Sequence, residues 1–209
     1  MYRYYLLVIF GAPGILALLA ALIGELFWLY ALLGAYGFTV LAFLIGALFA
    51  ILVRLIPARC FDPLAAPFWV RKWERRFYVR LGIRHWKDRI PETGALLGYL
   101  SKKQVADRHD NAYLWDFMIE TCYAETMHTV CVVVGYLILI PAWFLGSVYF
   151  LYLALPVAVI HGVLHFLPVP VQRYVRPFLL HAYLHNKAKA VKKSTEQEVA
   201  TEKTPSPVV

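Results

Sequence analysis

The 209-residue chain is 61% hydrophobic, only 16% charged and carries a formal net charge of +8. Its mean hydropathy is +0.59. That balance excludes an ordinary soluble domain and marks an integral membrane protein. Nearly every Lys and Arg falls in two blocks, Arg54–Arg108 and Arg173–Lys203, each beside an apolar run. Basic blocks so placed speak for membrane topology and anionic headgroups rather than nucleic acid.

A bilayer crossing needs roughly 20 apolar residues. Four segments qualify, at about 5–30, 36–56, 129–146 and 148–166. The expected fold class is therefore an all-α integral membrane protein with four transmembrane helices. The first apolar run is too long for a cleavable signal and is expected to act as its own insertion signal. Glu25, the one carboxylate of this first hairpin, is expected late in the first span as a structural polar contact, the alternative being part of a polar route. The turn-prone Leu33-Gly-Ala-Tyr-Gly37 is expected to join spans one and two, and Gly146-Ser147 spans three and four. The 54–108 segment holds thirteen basic residues, so the positive-inside bias places it and both termini in the cytoplasm. Within the cytoplasmic loop 57–128, the spacing predicts an amphipathic helix over Pro67–Leu81. Trp69, Val70, Trp73 and Phe77 share one arc, and Arg71, Lys72, Arg75 and Arg76 the other. Such a helix suits the headgroup plane. Residues 84–94 read as a loop, 1–186 as one membrane-embedded domain and 187–209 as a disordered tail. Pro141 and Pro156 are expected to kink spans three and four. Cys60, Cys122 and Cys131 show no CxxC spacing and read as free thiols facing cytosol or lipid.

Ionisable groups beside hydrocarbon are costly, and three of them stand where the loop becomes the third span. Glu125 and His128, three residues apart, are neighbours on a helix. Glu120 lies roughly 80° around from His128. A carboxylate beside an imidazole can orient it as a general base for a hydroxyl nucleophile. The structural alternative is a polar contact between helices. Two HxxxH pairs, His161/His165 and His181/His185, permit a different site in which Glu and His ligands hold metal, as in membrane hydroxylases. Past the fourth span comes Pro168-Val-Pro-Val-Gln-Arg-Tyr-Val-Arg-Pro177. There Arg173 and Arg176 can grip oxygen atoms through their planar forks, and Gln172 adds a donor and an acceptor.

Three ordered stretches carry a resemblance. Tyr78-Val-Arg with His85-Trp86-Lys87-Asp88-Arg89-Ile90-Pro91, then Ile119-Glu120-Thr121 with Ala124-Glu125-x-x-His128, then Val171-Gln172-Arg173-Tyr174-x-Arg176-Pro177 resemble the glycosyl-4,4'-diaponeurosporenoate acyltransferase family. The similarity covers about Pro57–Leu180. It implies transfer of a fatty acyl group onto a hydroxyl of a glycolipid or glycosylated isoprenoid at the membrane. In that setting His128, Glu125, Glu120 and Arg173 are the expected catalytic residues, with His128 the base and Arg173, helped by Gln172 or Trp86, the oxyanion donor. Trp86, Lys87, Asp88, Gln172, Arg176 and His165 are the expected substrate-binding residues. Lys87, Arg89, Lys102 and Lys103 would receive the phosphates of an acyl-CoA or acyl-carrier-protein donor, a phospholipid being the other source. No cofactor is expected. The competing expectations are the metal-dependent lipid hydroxylase and a non-enzymatic lipid-binding protein.

Overall fold

The computed structural model describes residues 2–90, 105 and 107–202, and all regular structure among them is helical. Eight α-helices follow in chain order: α1 Tyr2–Ile23, α2 Trp28–Arg54, α3 Lys72–Arg80, α4 Ile83–Trp86, α5 Asn111–Val134, α6 Leu139–Leu145, α7 Leu155–Phe166 and α8 Pro168–Glu202. Four stretches are long and apolar enough to cross a membrane: Leu6–Ile23, Trp28–Arg54, Asn111–Leu145 and Tyr149–Glu196. The chain is a four-helix membrane protein.

Small side chains let the spans approach. Ala17 and Ala20 of α1, Ala31, Ala35 and Ala42 of α2, Ala142 of α6 and Ala158 of α7 are all buried in one cluster. In hydrocarbon, where apolar burial does not drive helices together, such close van der Waals packing does. This explains a departure from the sequence reading. Leu33–Gly37 is not a turn but lies inside α2. A Cβ on Gly34 would come within 2.8 Å of Leu153 Cδ1, so the glycine serves close packing. The chain reverses instead at residues 24–27, where exposed Glu25 takes a positive φ of 53°. The carboxylate thereby leaves the span altogether.

Two prolines disturb the later spans. Pro141 cannot bond the Leu137 carbonyl, and the turn before it tightens to a 3₁₀ helix over Gly135–Ile138. Pro156 cannot bond Tyr152, and a π-helical segment, Tyr149–Ala154, precedes it. Between them Gly146, with φ +112°, makes the reversal.

Two further differences concern helix limits. The predicted 67–81 helix begins only at Lys72, because the Pro67, Phe68 and Trp69 carbonyls accept hydrogen bonds from Arg173 and Arg176 and are drawn out of helical register. The tail from 187 is helical through Glu202 rather than disordered. Its Ala, Lys and Glu content favours helix, and a Lys192–Glu196 pair at 3.8 Å adds a little. The three cysteines are free thiols, but Cys122 and Cys131 are buried in protein rather than facing lipid or cytosol. Lys102, Lys103 and the 91–94 end of the predicted loop lie outside the described residues.

Candidate active site

α5 starts at Asp110, whose carboxylate accepts from the amides of Ala112 and Tyr113 and caps the helix. It runs antiparallel to α7 and α8, since partners descend on one side as they ascend on the other. Leu114 and Phe117 pack with Leu179, Thr121 meets Arg176, Glu125 meets Arg173, and His128 meets His165.

At the centre, Glu125 is held by two arginines. Arg173 Nη1 donates to Oε1 at 2.5 Å, and Arg176 Nη2 to Oε2 at 2.6 Å. Arg173 also donates through Nε to Glu74 Oε2 at 2.9 Å, and Tyr78 donates its hydroxyl to the same oxygen at 3.3 Å. The remaining guanidinium hydrogens bind the strap before α3. Arg173 reaches the Pro67 and Trp69 carbonyls at 3.1 and 3.2 Å, and Arg176 reaches Phe68 O at 2.6 Å and Thr121 Oγ1 at 2.9 Å. Two cations and two carboxylates thus cancel. Cancellation is needed here, because the Arg176 side chain is 3% exposed and the Glu125 side chain 11%. Unpaired charges so buried are very costly. Burial pushes the Tyr78 phenol up, with the Glu74 carboxylate adding to the rise and the Arg173 cation opposing it. The hydroxyl therefore stays a donor.

One turn along α5, half-buried His128 faces half-buried His165 with Nδ1 to Nδ1 at 3.3 Å. Two neutral imidazoles can share such a contact only as opposite tautomers. The donating ring carries its lone pair on Nε2, and the accepting ring carries its proton on Nε2. His165 in turn packs on His161, with centroids 4.4 Å apart, and Phe43 meets His161 edge-on at 5.2 Å. His161 is 2% exposed, and its ring fits only because Gly135 lacks a side chain. Among the described residues, neither of its nitrogens has a hydrogen-bond partner. Beside it an apolar crevice runs between α1, α2 and α7, lined by Val8, Pro13, Leu16, Phe43 and Leu164.

The predicted residues separate into groups. The fold brings Glu125, Arg173 and Arg176 together, and places His128 with His165. Both Glu125 oxygens are engaged by arginine, while the His128 Nδ1 meets another imidazole. Glu120 lies apart, gripped at both oxygens by Arg54 at 2.9 and 2.6 Å, with that guanidinium over the Tyr123 ring. Trp86 donates Nε1 to Leu81 O at 3.1 Å and packs against the buried cluster of Tyr78, Ile83, Ile90 and Val171. Lys87 and Asp88 pair with each other at 2.7 Å. Arg84, Lys87 and Arg108 line an open basin floored by Tyr174, Phe178 and Leu179. Gln172 is fully buried on α8, and neither of its amide atoms has a partner among the described residues.

Sequence reasoning passed over Glu74, Thr121 and the strap carbonyls. Glu74 did leave a trace, being the lone acid in Arg71-Lys-Trp-Glu-Arg-Arg76. Among the described residues, no group of three or more His, Cys, Asp or Glu side chains has the geometry to hold a metal ion.

Fold and site together define a polytopic helical membrane protein with paired imidazoles beside an internally neutralised arginine–carboxylate cluster. Proton transfer next to hydrocarbon is the chemistry such a site can perform. The glycosyl-4,4'-diaponeurosporenoate acyltransferase family matches residues 57–183, more than half of the chain, and the chain belongs to that family. The matched region holds α3 to α7 and α8 as far as Tyr183, with every site residue named above except Arg54, Gly46, Phe43 and the α1–α2 wall of the crevice. No curated protein and no solved structure matches the chain.

Proposed function

We propose that this protein is an O-acyltransferase that moves a fatty acyl group onto a hydroxyl of a glycosylated isoprenoid or glycolipid at the cytoplasmic membrane face. The single observation that carries the reading is the Nδ1–Nδ1 contact of His128 and His165. In the tautomer with His128 Nδ1–H directed at His165, the His128 lone pair is on Nε2. That nitrogen takes the proton of the acceptor hydroxyl as its oxygen forms the new bond to the acyl carbonyl. When the carbonyl re-forms, the bond to the leaving group breaks and the proton passes to the leaving atom. General-base help of this kind contributes about 10²–10⁴-fold. Glu125 acts as a positioning residue: locked to Arg173 and Arg176, it fixes the turn of α5 that carries His128. Glu120, turned to Arg54, is the weaker alternative for the base.

Several features support the membrane-face assignment. Exposed Trp69, Trp73 and Phe77 lie amid Arg71, Lys72, Arg75 and Arg76, which suits the headgroup plane. The thirteen basic residues of the 54–108 segment favour the cytoplasm. The Arg84, Lys87 and Arg108 basin suits the phosphates of an acyl-CoA, an acyl-carrier protein or a phospholipid headgroup.

The test is acyl transfer by the purified full chain from labelled donors to a glycosylated isoprenoid alcohol. The wild type forms the ester and His128→Ala does not; full transfer by His128→Ala refutes the base assignment. The competing reading is a metal-dependent lipid oxidase, for which the packed rings of His128, His165 and His161 are the nearest grouping of imidazoles, although among the described residues they do not form a three-ligand set. Stoichiometric iron or zinc together with inactivation by a chelator would replace the acyl-transfer reading with that one.

A further inference from the structure

The buried polar atoms without partners are not scattered. Among the described residues, four of them are the two ring nitrogens of His161 and the two amide atoms of Gln172. These residues flank His165 in the chain: His161 lies one turn before it on α7, and Gln172 lies seven residues after it on α8, past the junction at Leu167. Gln172 is the more telling. It stands four residues before Arg176 on α8, so these two share one helical face, and it is the side chain between Arg176 and the α7 residue His165 in chain order. Arg176 binds Glu125 and His165 binds His128, so the Gln172 side chain lies at the level of α5 between Glu125 and His128. Every charged neighbour at that level is engaged: Arg173 and Arg176 are committed to Glu74, Glu125, Thr121 and three carbonyls. Among the described side chains, the Gln172 amide has neither its donor nor its acceptor engaged.

We infer that the Gln172 side-chain amide binds the carbonyl of a neutral fatty acyl ester or thioester beside the imidazole pair, a contact the sequence alone had suggested for Arg173 with Gln172 or Trp86 as its helper. The chemistry of the surroundings sets the ligand class. The two arginines and two glutamates neutralise one another, so the position has no net charge to offer an anion. A primary amide donates to a carbonyl oxygen and accepts from a hydroxyl, which are the two groups an acyl donor and its acceptor bring. A donor held in a dry site and aimed at a carbonyl that becomes an oxyanion favours the transition state over the ground state. The inference rests on the acyl-transfer reading only for its catalytic consequence. Binding of the carbonyl stands by itself.

The experiment uses the full chain in a maltoside detergent, which has no carbonyl of its own, with palmitic acid methyl ester isotopically labelled at the carbonyl. Isotope-edited infrared spectra of the wild type should show a carbonyl band below its frequency in protein-free micelles. Gln172→Leu and Gln172→Met should lose that band, and His128→Ala should keep it. In transfer assays both Gln172 variants should lower kcat by about 10²–10³-fold, the cost typical of one lost oxyanion donor. Both should melt no lower than the wild type, because an apolar side chain replaces an unpaired buried amide. A wild-type band at the micelle frequency, a shift that persists in Gln172→Leu, or marked loss of thermal stability in both variants overturns the inference. A shifted band without any acyl transfer supports it and removes the acyltransferase reading instead.

Discussion

Arg176 reaches from α8 to Glu125 on α5 at 2.6 Å, while its other donors hold Thr121 and the Phe68 carbonyl. One side chain thereby ties two spans and the strap before α3 into a single unit. It does so because a guanidinium presents several donors in one plane, which an ammonium cannot. The reacting groups sit on this scaffold rather than within it.

Arg176→Leu should destabilise the protein by about 3–5 kcal/mol, because it leaves the Glu125 carboxylate buried beside a single arginine. Arg176→Lys should recover only part of that loss. Chemical denaturation in detergent, followed by near-ultraviolet circular dichroism, measures both.

The two carboxylates of α5 should behave differently. Glu125→Gln keeps the shape and leaves two buried guanidinium groups undercompensated, so activity and melting temperature should fall together. Glu120→Gln breaks a pair whose side chains are 21% and 25% exposed. It should cost about 1 kcal/mol or less and preserve transfer. Comparing the two variants in one assay separates the clamp from the anchor, and a dead Glu120→Gln would restore Glu120 as a candidate base.

His128→Ala and His165→Ala should each reduce turnover by about 10²–10⁴-fold. The double variant should be no worse than the poorer single one, since the pair works as a unit. Additive losses would show that the rings act independently. Steady-state kcat for all four proteins decides this.

Gly135 provides a structural probe of the histidine row. A Cβ there would overlap His161 Nδ1, with its other ring atoms close behind. Gly135→Ala should therefore push that ring against His165, cost about 1–3 kcal/mol and depress kcat. Adding His161→Ala should return most of the stability, because the crowded ring is gone. Thermal melts of the single and double variants test the coupling.

The four long apolar stretches were legible residue by residue, because crossing hydrocarbon demands a continuous run that any window of sequence displays. Pro141 and Pro156 likewise announced their distortions, since a missing N–H is a local property. Leu33–Gly37 misled for the opposite reason: glycine can serve either a turn or a close approach, and only Leu153 and Tyr149 lying against Gly34 select the second. The strap at 67–71 could not be separated from α3 by periodicity, because its carbonyls are held by arginines more than a hundred residues away.

The same division runs through the site. Glu125, His128, Gln172, Arg173 and Arg176 could be picked out by type and setting, as polar side chains beside apolar runs. Their partners could not, for a charge takes whichever counter-charge the packed helices bring within reach. Chain chemistry decided which groups had to be satisfied, and the antiparallel packing of α5 on α8 decided that arginine would satisfy Glu125, histidine would face His128, and the Gln172 amide would be left open.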